Sequence, residues 1–338
     1  MKRQTILFLT LIISILSIAQ ESGNFTPRIE GTIRGKYEFF TEQAEHRFQI
    51  RNARFSVRGK ISNISSYKAE IDLSDEGRTR MLDAFVCLKP QPNWSITIGQ
   101  QKVPFSTDNL RSPHHLLLAN RSFMGKQLTN LRDVGVSVNL INSKMVPLDF
   151  TAGIYNGMGL YTQDKTLKPE ELSIATRLVL FPQSNLSGSL NFNTIKPGDV
   201  RMSYYNAGIQ FSPGSFHIEG EYLYKTYEGN HSSGLQYTHG YVMLCTYSIN
   251  TPTLKEIHQV MPVIRFDAMS KNLKYNVLNS NSITLASDEA RSRLSAGVTL
   301  HLANRPNANE IRFNYEHYFW NDGSLADNKF IVEYMIKF

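Results

Sequence analysis

Apolar and polar residues alternate with a period of two along most of the chain. In residues 28–39, apolar residues and glycines occupy every second position, and five of the six intervening positions are charged. Because successive side chains of a β-strand point to opposite faces, this pattern predicts a strand with one apolar face and one charged face. Further alternating segments span residues 53–61, 67–74, 82–89, 94–102, 134–140, 148–154, 174–181, 186–192, 205–211, 216–225, 237–249, 260–268, 294–302, 311–319 and 330–338.

The alternation changes phase once near the start of the second strand. Phe48 and Ile50 share one phase, whereas Ala53 and Phe55 share the other. One extra residue in a strand shifts the phase in this way, so we predict a β-bulge near Asn52.

The series of strands predicts a single closed sheet. No linker or change of composition divides it, and its last segment ends on Phe338, an aromatic terminus typical of bacterial outer-membrane barrels. The count is about sixteen, within the range of known barrels. The predicted fold is therefore all-β, a transmembrane antiparallel β-barrel with both termini on the periplasmic side. A soluble secreted β-sandwich is the structural alternative.

The connections differ in length. Residues 182–185 and 213–214 are typical of tight turns, whereas residues 105–131, 158–171 and 271–291 are predicted to be long loops. Aromatic residues cluster near strand ends, as in the interfacial belts of membrane barrels.

The N-terminus has the features of a secretory signal. Lys2 and Arg3 precede an apolar stretch at residues 6–18, and Ser17-Ile18-Ala19 is a small-residue cleavage site. We predict a cleavable signal peptide at residues 1–19 and a barrel at residues 20–338. A membrane anchor is the weaker alternative, because the stretch is shorter than the roughly 20 residues that span a bilayer.

The chain has two cysteines, Cys87 and Cys245, in well-separated predicted strands. A disulfide requires Cα atoms within about 7 Å of each other. We therefore predict two free thiols.

Positive charge is concentrated in one long segment. Without Lys2 and Arg3, 34 basic residues face 29 acidic ones, a formal charge of +5. Between residues 100 and 132, five basic residues accompany a single acid, Asp108. Those five are Lys102, Arg111, Arg121, Lys126 and Arg132.

The charged faces of the early strands are expected to line the lumen, since a charge facing lipid costs roughly 2–4 kcal/mol near the midplane. The basic residues concerned are Arg34, Lys36, Arg54, Arg58 and Lys60. A positive lumen favours anions. Two alternatives stay open. The cations can pair across strands with Glu30, Glu38, Glu70, Asp72 and Asp83 and leave no net field, or a basic outer surface can contact lipopolysaccharide. Dispersed charge on a secreted barrel argues against nucleic-acid binding.

Motifs for catalysis or metal binding do not stand out. The chain has no Gly-x-Ser-x-Gly or His-Glu-x-x-His pattern. His114 and His115 point apart in an extended chain and so make a poor chelating pair. His239 and His317 fall on predicted lipid-facing positions, which leaves a membrane phospholipase as a minor alternative. We expect no enzyme activity, no cofactor and no dedicated metal site.

Several short sequence motifs together resemble those of the phosphate-selective porin O/P family. They include residues 51–55, 58–60, 83–85, 99–106, 120–122, 132–136, 153–157, 177, 181–182 and 262–266, in that order. The resemblance covers nearly the whole mature chain. It implies a sixteen-stranded barrel, a homotrimer, and a loop that folds inward to constrict an anion-conducting pore, for which residues 105–131 are the candidate. It implies conduction of phosphate past a ladder of Arg and Lys, although the matched phrases do not reproduce that ladder residue by residue.

The expected function is passive diffusion of small hydrophilic, preferentially anionic solutes across the outer membrane, with phosphate as a candidate. Lys102, Arg111, Arg121 and Arg132 are expected at the constriction, and Arg34, Lys36, Arg54, Arg58 and Lys60 along the wall. The expected partners are outer-membrane lipid, lipopolysaccharide and the solutes. The competing function is a non-conducting barrel that serves as a surface scaffold or adhesin.

Overall fold

The chain forms nineteen strands within the residues described by a computed structural model, which are 25–75, 77–129, 132–144, 146–160, 171–229, 231, 233–252, 256–278, 282–302, 308–320 and 327–338. The strands are β1 (Arg28–Phe40), β2 (Glu45–Lys60), β3 (Ser65–Asp75), β4 (Arg78–Gln91), β5 (Trp94–Lys102), β6 (Arg132–Asn142), β7 (Leu148–Tyr155), β8 (Ser173–Leu180), β9 (Leu186–Ile195), β10 (Arg201–Phe211), β11 (Phe216–Glu228), β12 (Tyr237–Tyr247), β13 (Ile249–Asn250), β14 (Gln259–Met269), β15 (Asn272–Leu278), β16 (Ser282–Asp288), β17 (Arg291–His301), β18 (Asn309–Trp320) and β19 (Lys329–Lys337).

Short helical turns occur between β5 and β6. They are helix α1 (Thr107–Leu110), a 3-10 turn (Pro113–His115) and a π-helical turn (Met124–Leu128). Within the described ranges, no helix has the length and apolar character required to cross a membrane.

The sheet closes into a barrel of sixteen antiparallel strands. Each barrel strand pairs with the next barrel strand along the chain, so that β14 pairs with β17, and β1 pairs with β19 over nine residues from Thr32 to Phe40. The two-residue strand β13 follows β12 and extends its pairing with β14, while β15 and β16 pair with each other in a separate hairpin. The predicted fold class and strand count are therefore confirmed.

The two faces of the wall differ as the alternation predicts. On β1 the buried Arg34 and Lys36 alternate with the outward-facing Ile33 and Tyr37. On β19 the buried Glu333 lies between Val332 and Tyr334, which are exposed on the outside. Charged side chains thus face the lumen, and apolar side chains cover the outer surface, where lipid removes the need for polar contacts.

Strand irregularities agree with the sequence in one place and differ in another. Arg34 pairs with Asn52 and Gly35 with Ile50, which leaves Arg51 as the extra residue of a bulge, as predicted. The prediction that residues 271–291 form a loop is wrong, because β15 and β16 lie within them. The segment is rich in Asn and Ser, which masked the short alternation at Leu273 and Tyr275. Of the predicted loop at 158–171, residues 161–170 lie outside the described ranges.

Three further predictions concern the cysteines, the C-terminal residue and the signal peptide. Both thiols are free, as predicted, with Cys87 on β4 and Cys245 on β12. Phe338 exchanges backbone hydrogen bonds of 2.9 and 3.1 Å with Gly31, and its ring lies 5.9 Å from that of Phe55. The predicted signal peptide falls outside the described residues, which begin at position 25, and stays a prediction.

Gly99 occupies a position where any other residue would strain the backbone and clash with the paired strand. Its φ is 127°, and a Cβ atom there would lie 2.3 Å from the carbonyl oxygen of Ala84 on the paired strand. We expect Gly99→Ala to destabilise the folded barrel by roughly 2–3 kcal/mol, through backbone strain and overpacking together. The measurement is the temperature at which the folded form is lost in detergent.

Gly214→Ala is the control, because Gly214 also has a positive φ, 61°, but a Cβ atom there would have no other atom within 4 Å. That variant should lose about 1 kcal/mol, and an equal loss in both variants would contradict the role of the Ala84 contact.

Candidate functional site: a cationic passage beside an inserted segment

The connection between β5 and β6 lies inside the barrel. We call residues 103–129 the inserted segment. The backbone N–H of Ala119 donates to Asn314 Oδ1 at 2.8 Å, and that of Phe123 donates to Asp267 Oδ2 at 2.8 Å. Both acceptors are buried, inward-facing residues of the wall. The inserted segment therefore crosses the lumen and contacts strands far from β5 in the chain.

The start of α1 depends on one wall carboxylate. The first N–H groups of a helix have no partner within the helix. Glu221 on β11 accepts hydrogen bonds from the N–H groups of Thr107 and Asp108, at 3.1 and 2.9 Å. The Ser106 hydroxyl also caps this turn by accepting from the N–H of Asn109. The chain can therefore turn inward here without leaving backbone donors unsatisfied.

Guanidinium groups of the wall hold the middle of the inserted segment. Arg34, Arg265 and Arg293 donate to the carbonyl oxygens of Ala119, Asn120 and Arg121, at 2.5, 2.7 and 2.7 Å respectively. Hydrogen bonds from charged donors are stronger than those between neutral groups. These three contacts fix the path of the segment across β1, β14 and β17.

One side of the inserted segment is apolar. Phe105, Met124 and Leu128 are buried in a cluster with wall residues such as Met202 and Leu223, on β10 and β11. Leu273 of the β15–β16 hairpin belongs to the same cluster. This half of the lumen is therefore filled, and the open space lies on the other side of the segment.

The open space is a cavity of about 810 Å³ between the inserted segment and the wall formed by β1–β6 and β17–β19. Its lining in the described part of the chain includes thirteen basic residues and three acidic ones. The basic residues are Arg34, Lys36, Arg47, Arg51, Arg54, Arg80, Lys102, Arg121, Lys126, Arg132, Arg291, Arg293 and Lys329, and the acidic ones are Glu38, Asp75 and Asp327. Basic residues thus outnumber acidic ones in the lining, although carboxylates behind the lining pair with several of them, such as Glu333 with Arg34 at 2.6 Å and Asp267 with Arg293 at 3.0 Å.

Ion pairs balance part of this charge. Arg54 and Arg132 lie 2.9 Å from Asp72 and Asp83 respectively, so the cross-strand pairing considered from the sequence does occur. Positive charge is in excess where several cations share one carboxylate. Glu38 contacts Lys36 at 2.9 Å, Lys329 at 3.5 Å and Arg47.

Asp75 is the second shared carboxylate. It lies 3.0 Å from Arg51 and 3.4 Å from Arg80. Glu38 and Asp75 are thus wall carboxylates that each contact more than one cation along β1–β4.

Six of the nine basic residues singled out from the sequence line this cavity. They are Arg34, Lys36, Arg54, Lys102, Arg121 and Arg132. The other three lie outside its lining. Arg58 is exposed and pairs with Glu30, Lys60 is exposed at the end of β2, and Arg111 turns away to Glu219, with Nη1 2.7 Å from Oε1.

Lys102, the last residue of β5, and Arg121 of the inserted segment both line the cavity and donate to backbone carbonyl oxygens of the segment. Lys102 Nζ donates to the carbonyl oxygens of Asn109, Leu110 and Arg111 at 2.9–3.2 Å, and Arg121 donates to those of Asp108 and Arg111. Burial lowers the pKa of Arg121 to about 10, with repulsion from Arg54, Arg34 and Arg132 adding to the effect and Asp108 opposing it. The group stays protonated at neutral pH and lies within range of three wall guanidinium groups.

The histidine pair differs from the expectation. The rings of His114 and His115 do not point apart, because the 3-10 turn brings their centroids to 4.3 Å. Burial and the charge of Lys337 lower the pKa of His114 to about 3, and the pKa of His115 is also lowered, first by burial. Both rings are therefore neutral at neutral pH. Among the described residues, no three His, Cys, Asp or Glu side chains are placed to hold a metal ion.

Sequence reasoning missed seven lining residues as site candidates: Arg47, Arg51, Arg80, Lys126, Arg291, Arg293 and Lys329. Arg51 is the bulge residue, and Arg291, Arg293 and Lys329 precede the segments in which alternation was evident. Most lie at the strand ends next to the long connections. These lining residues could have been found by extending each alternating segment toward the adjoining long connection.

The comparisons with known proteins agree with this architecture. A closed sixteen-stranded antiparallel barrel with an inserted connection after β5 has the fold of an outer-membrane porin. Residues 31–177 match the model of the family "Phosphate-selective porin O and P", which confirms the resemblance over that part of the chain. A search of curated proteins gives no match.

Solved structures show the same fold at low sequence identity. The outer membrane channel DcaP of Acinetobacter baumannii and the anion-selective porin from Comamonas acidovorans each align with a TM-score of 0.64 and 12% identity. The alignments cover 94% and 93% of this chain and 99% of each of those chains. The trimer form of OmpT, an outer membrane protein of Vibrio cholerae, aligns with a TM-score of 0.60 and 12% identity, over 93% and 99% of the two chains.

Proposed function

We propose that this protein is an outer-membrane porin that allows passive diffusion of small hydrophilic solutes with a preference for anions. The observation that carries the proposal is the cavity between the inserted segment and the wall, with its thirteen basic and three acidic lining residues. A water-filled passage with low-dielectric walls focuses such a charge excess and raises the local concentration of anions.

The proposed mechanism uses several weak sites in succession. Lys36, Arg47 and Arg51 lie along one wall, and Arg121 faces them from the inserted segment. Fixed positive charges replace part of the hydration of a passing anion, and because many of them are paired with carboxylates, no single site holds it tightly. The inserted segment is the proposed constriction, since it leaves only part of the lumen open.

Phosphate is one candidate solute within this proposal. The family match supports it, and the Comamonas acidovorans neighbour is described as anion-selective. The wall carboxylates of this chain interrupt an all-cationic path, so the proposal is a general anion preference with phosphate to be ranked by measurement.

A homotrimer is also proposed. Tyr205, Tyr222 and Tyr241 are exposed on the outer face of β10–β12, as expected for a belt at the lipid interface. On β4–β6, the outward-facing Val86, Ile98 and Val136 are more than one-third exposed, and Trp94 at the start of β5 is the outward-facing aromatic residue of these strands. A face whose exposed centre is aliphatic suits contact with another barrel, and the trimer form of OmpT is a precedent among porin folds.

The proposed location is the bacterial outer membrane, reached after removal of the predicted signal peptide at residues 1–19. The apolar outer surface supports contact with membrane lipid. Contact with lipopolysaccharide belongs to the same proposal and rests on the net positive charge of the chain.

The direct test is the reversal potential of the purified, signal-cleaved protein in a planar bilayer under a potassium chloride gradient. We expect a chloride-directed potential, because anions are enriched in the cationic cavity. Replacing chloride by phosphate then ranks phosphate by its current or its block. A potassium-directed potential would contradict the anion preference, and no conductance from protein shown to be folded would favour the surface scaffold.

A further inference from the structure

Cations and aromatic rings meet at the end of the cavity nearest the long connections. We define the cation–ring cluster as Lys36, Phe40, Arg47, Tyr318 and Lys329. These residues lie toward the end of β1, at the start of β2, at the end of β18 and at the start of β19. The three cations and Tyr318 line the cavity. Phe40 is partly exposed on the same inward face of β1 as Lys36 and contacts two of these cations.

The cluster carries excess positive charge. Its three cations share Glu38, which is fully buried. Asp327 is the other acidic lining residue near this end of the cavity. Glu316 accepts from the Tyr318 hydroxyl at 2.8 Å, but it is paired with Arg293 at 3.1 Å. Among the described residues, the three cations of the cluster therefore outnumber Glu38 and Asp327, so the cluster can receive an additional anionic group.

The rings lie directly against these cations. Lys329 Nζ is 5.0 Å from the ring centroid of Phe40 and 5.6 Å from that of Tyr318. The guanidinium carbon of Arg47 is 5.9 Å from the Phe40 centroid. These distances are within the range of cation–π contacts. The cations are thus held beside apolar surface and are less fully hydrated than cations surrounded by polar groups.

The same combination continues deeper in the cavity. The guanidinium carbon of Arg293 is 4.5 Å from the ring centroid of Phe123, and that of Arg291 is 5.1 Å from it. Tyr275 also lines this region. A solute that enters at the cluster therefore meets further rings beside cations along its path.

We infer that the cation–ring cluster selects ring-bearing organic carboxylates over small hydrated anions. A carboxylate accepts the N–H groups of Arg47 and the ammonium groups of Lys36 and Lys329, while an attached ring packs against Phe40 and Tyr318. Inorganic phosphate can use the cations, but it loses hydration against the rings without an apolar contact in return. This inference rests on the proposed anion channel and names its class of solute.

The test compares two monocarboxylates that differ in the ring. In planar bilayers of the signal-cleaved protein, the half-blocking concentrations of benzoate and acetate are measured on the chloride current. We expect benzoate to block at about one-fifth of the acetate concentration, the factor that corresponds to about 1 kcal/mol of aromatic contact. Equal half-blocking concentrations, or block by inorganic phosphate at lower concentration than benzoate, would overturn the inference.

Variants locate the effect. Phe40→Leu keeps an apolar side chain without the ring, and should bring the benzoate-to-acetate ratio close to one. Phe216→Leu is the matched control, since Phe216 is exposed on the outer face of β11, and it should preserve the ratio. A ratio that survives in Phe40→Leu would show that the ring site is elsewhere.

The reversal potential distinguishes failure of this inference from failure of the proposed anion channel. A chloride-directed potential with no benzoate preference rejects the ring site and leaves the anion channel. Loss of the chloride-directed potential in the unmodified protein rejects both.

Discussion

Replacing Arg121 and Arg132 together with Glu is expected to reverse the ion selectivity, so that potassium rather than chloride sets the reversal potential. Each substitution changes the local charge by two units, on opposite sides of the cavity. At 4 Å in water-like surroundings, two charge units change the energy of a passing ion by roughly 2 kcal/mol, or about 30-fold in permeability ratio per residue. The measurement is the reversal potential under a potassium chloride gradient.

A graded series separates charge from structural damage. Replacing the same two residues with Gln removes one charge unit each, and should give a selectivity midway between the native protein and the Glu variant. Arg58→Glu with Lys60→Glu is the matched control, because both residues are exposed and lie outside the cavity lining. If the control shifts the reversal potential as far as the cavity variant does, selectivity depends on overall charge and not on this passage.

The barrel could be predicted from sequence because its cause is local. Lipid on one side and water on the other impose an alternation that each strand displays by itself, as residues 28–39 do. Even the bulge at Arg51 was visible, since one extra residue reverses the phase of everything after it. The hairpin β15–β16 was missed because it does not face lipid, and therefore lacks the long alternation of a spanning strand.

The site could be predicted only in part because its geometry depends on contacts between distant residues. That Arg34 and Arg121 line one cavity follows from the sequence only if the path of the inserted segment is known. That path is set by partners such as Glu221 and Asp267, more than 100 residues from the segment groups they bind. Arg111 illustrates the difference. Its position in a basic segment predicts a pore residue, but the carboxylate of Glu219 draws it away from the cavity.

Asp267 is expected to be the residue whose loss most strongly releases the inserted segment. It accepts the N–H of Phe123 at 2.8 Å, Arg265 Nε at 2.9 Å and Arg293 Nη2 at 3.0 Å. Asp267→Ala would leave two buried guanidinium groups with Glu316 as their remaining acidic contact, at 3.9 and 3.1 Å. Removing one partner of a buried ion pair costs about 3–5 kcal/mol.

We therefore expect Asp267→Ala to raise the single-channel conductance and the current noise, because the inserted segment loses its anchor at Phe123 and no longer keeps to one side of the lumen. Asp267→Asn keeps an oxygen that can accept from the Phe123 N–H, and should have a smaller effect on conductance. Asp149→Ala is the control, since Asp149 bonds to Asn139 on the neighbouring strand β6 and not to the segment. Native conductance in folded Asp267→Ala protein would mean that the apolar contacts of Phe105, Met124 and Leu128 suffice to hold the segment. The hydrogen bonds would then set only its fine position.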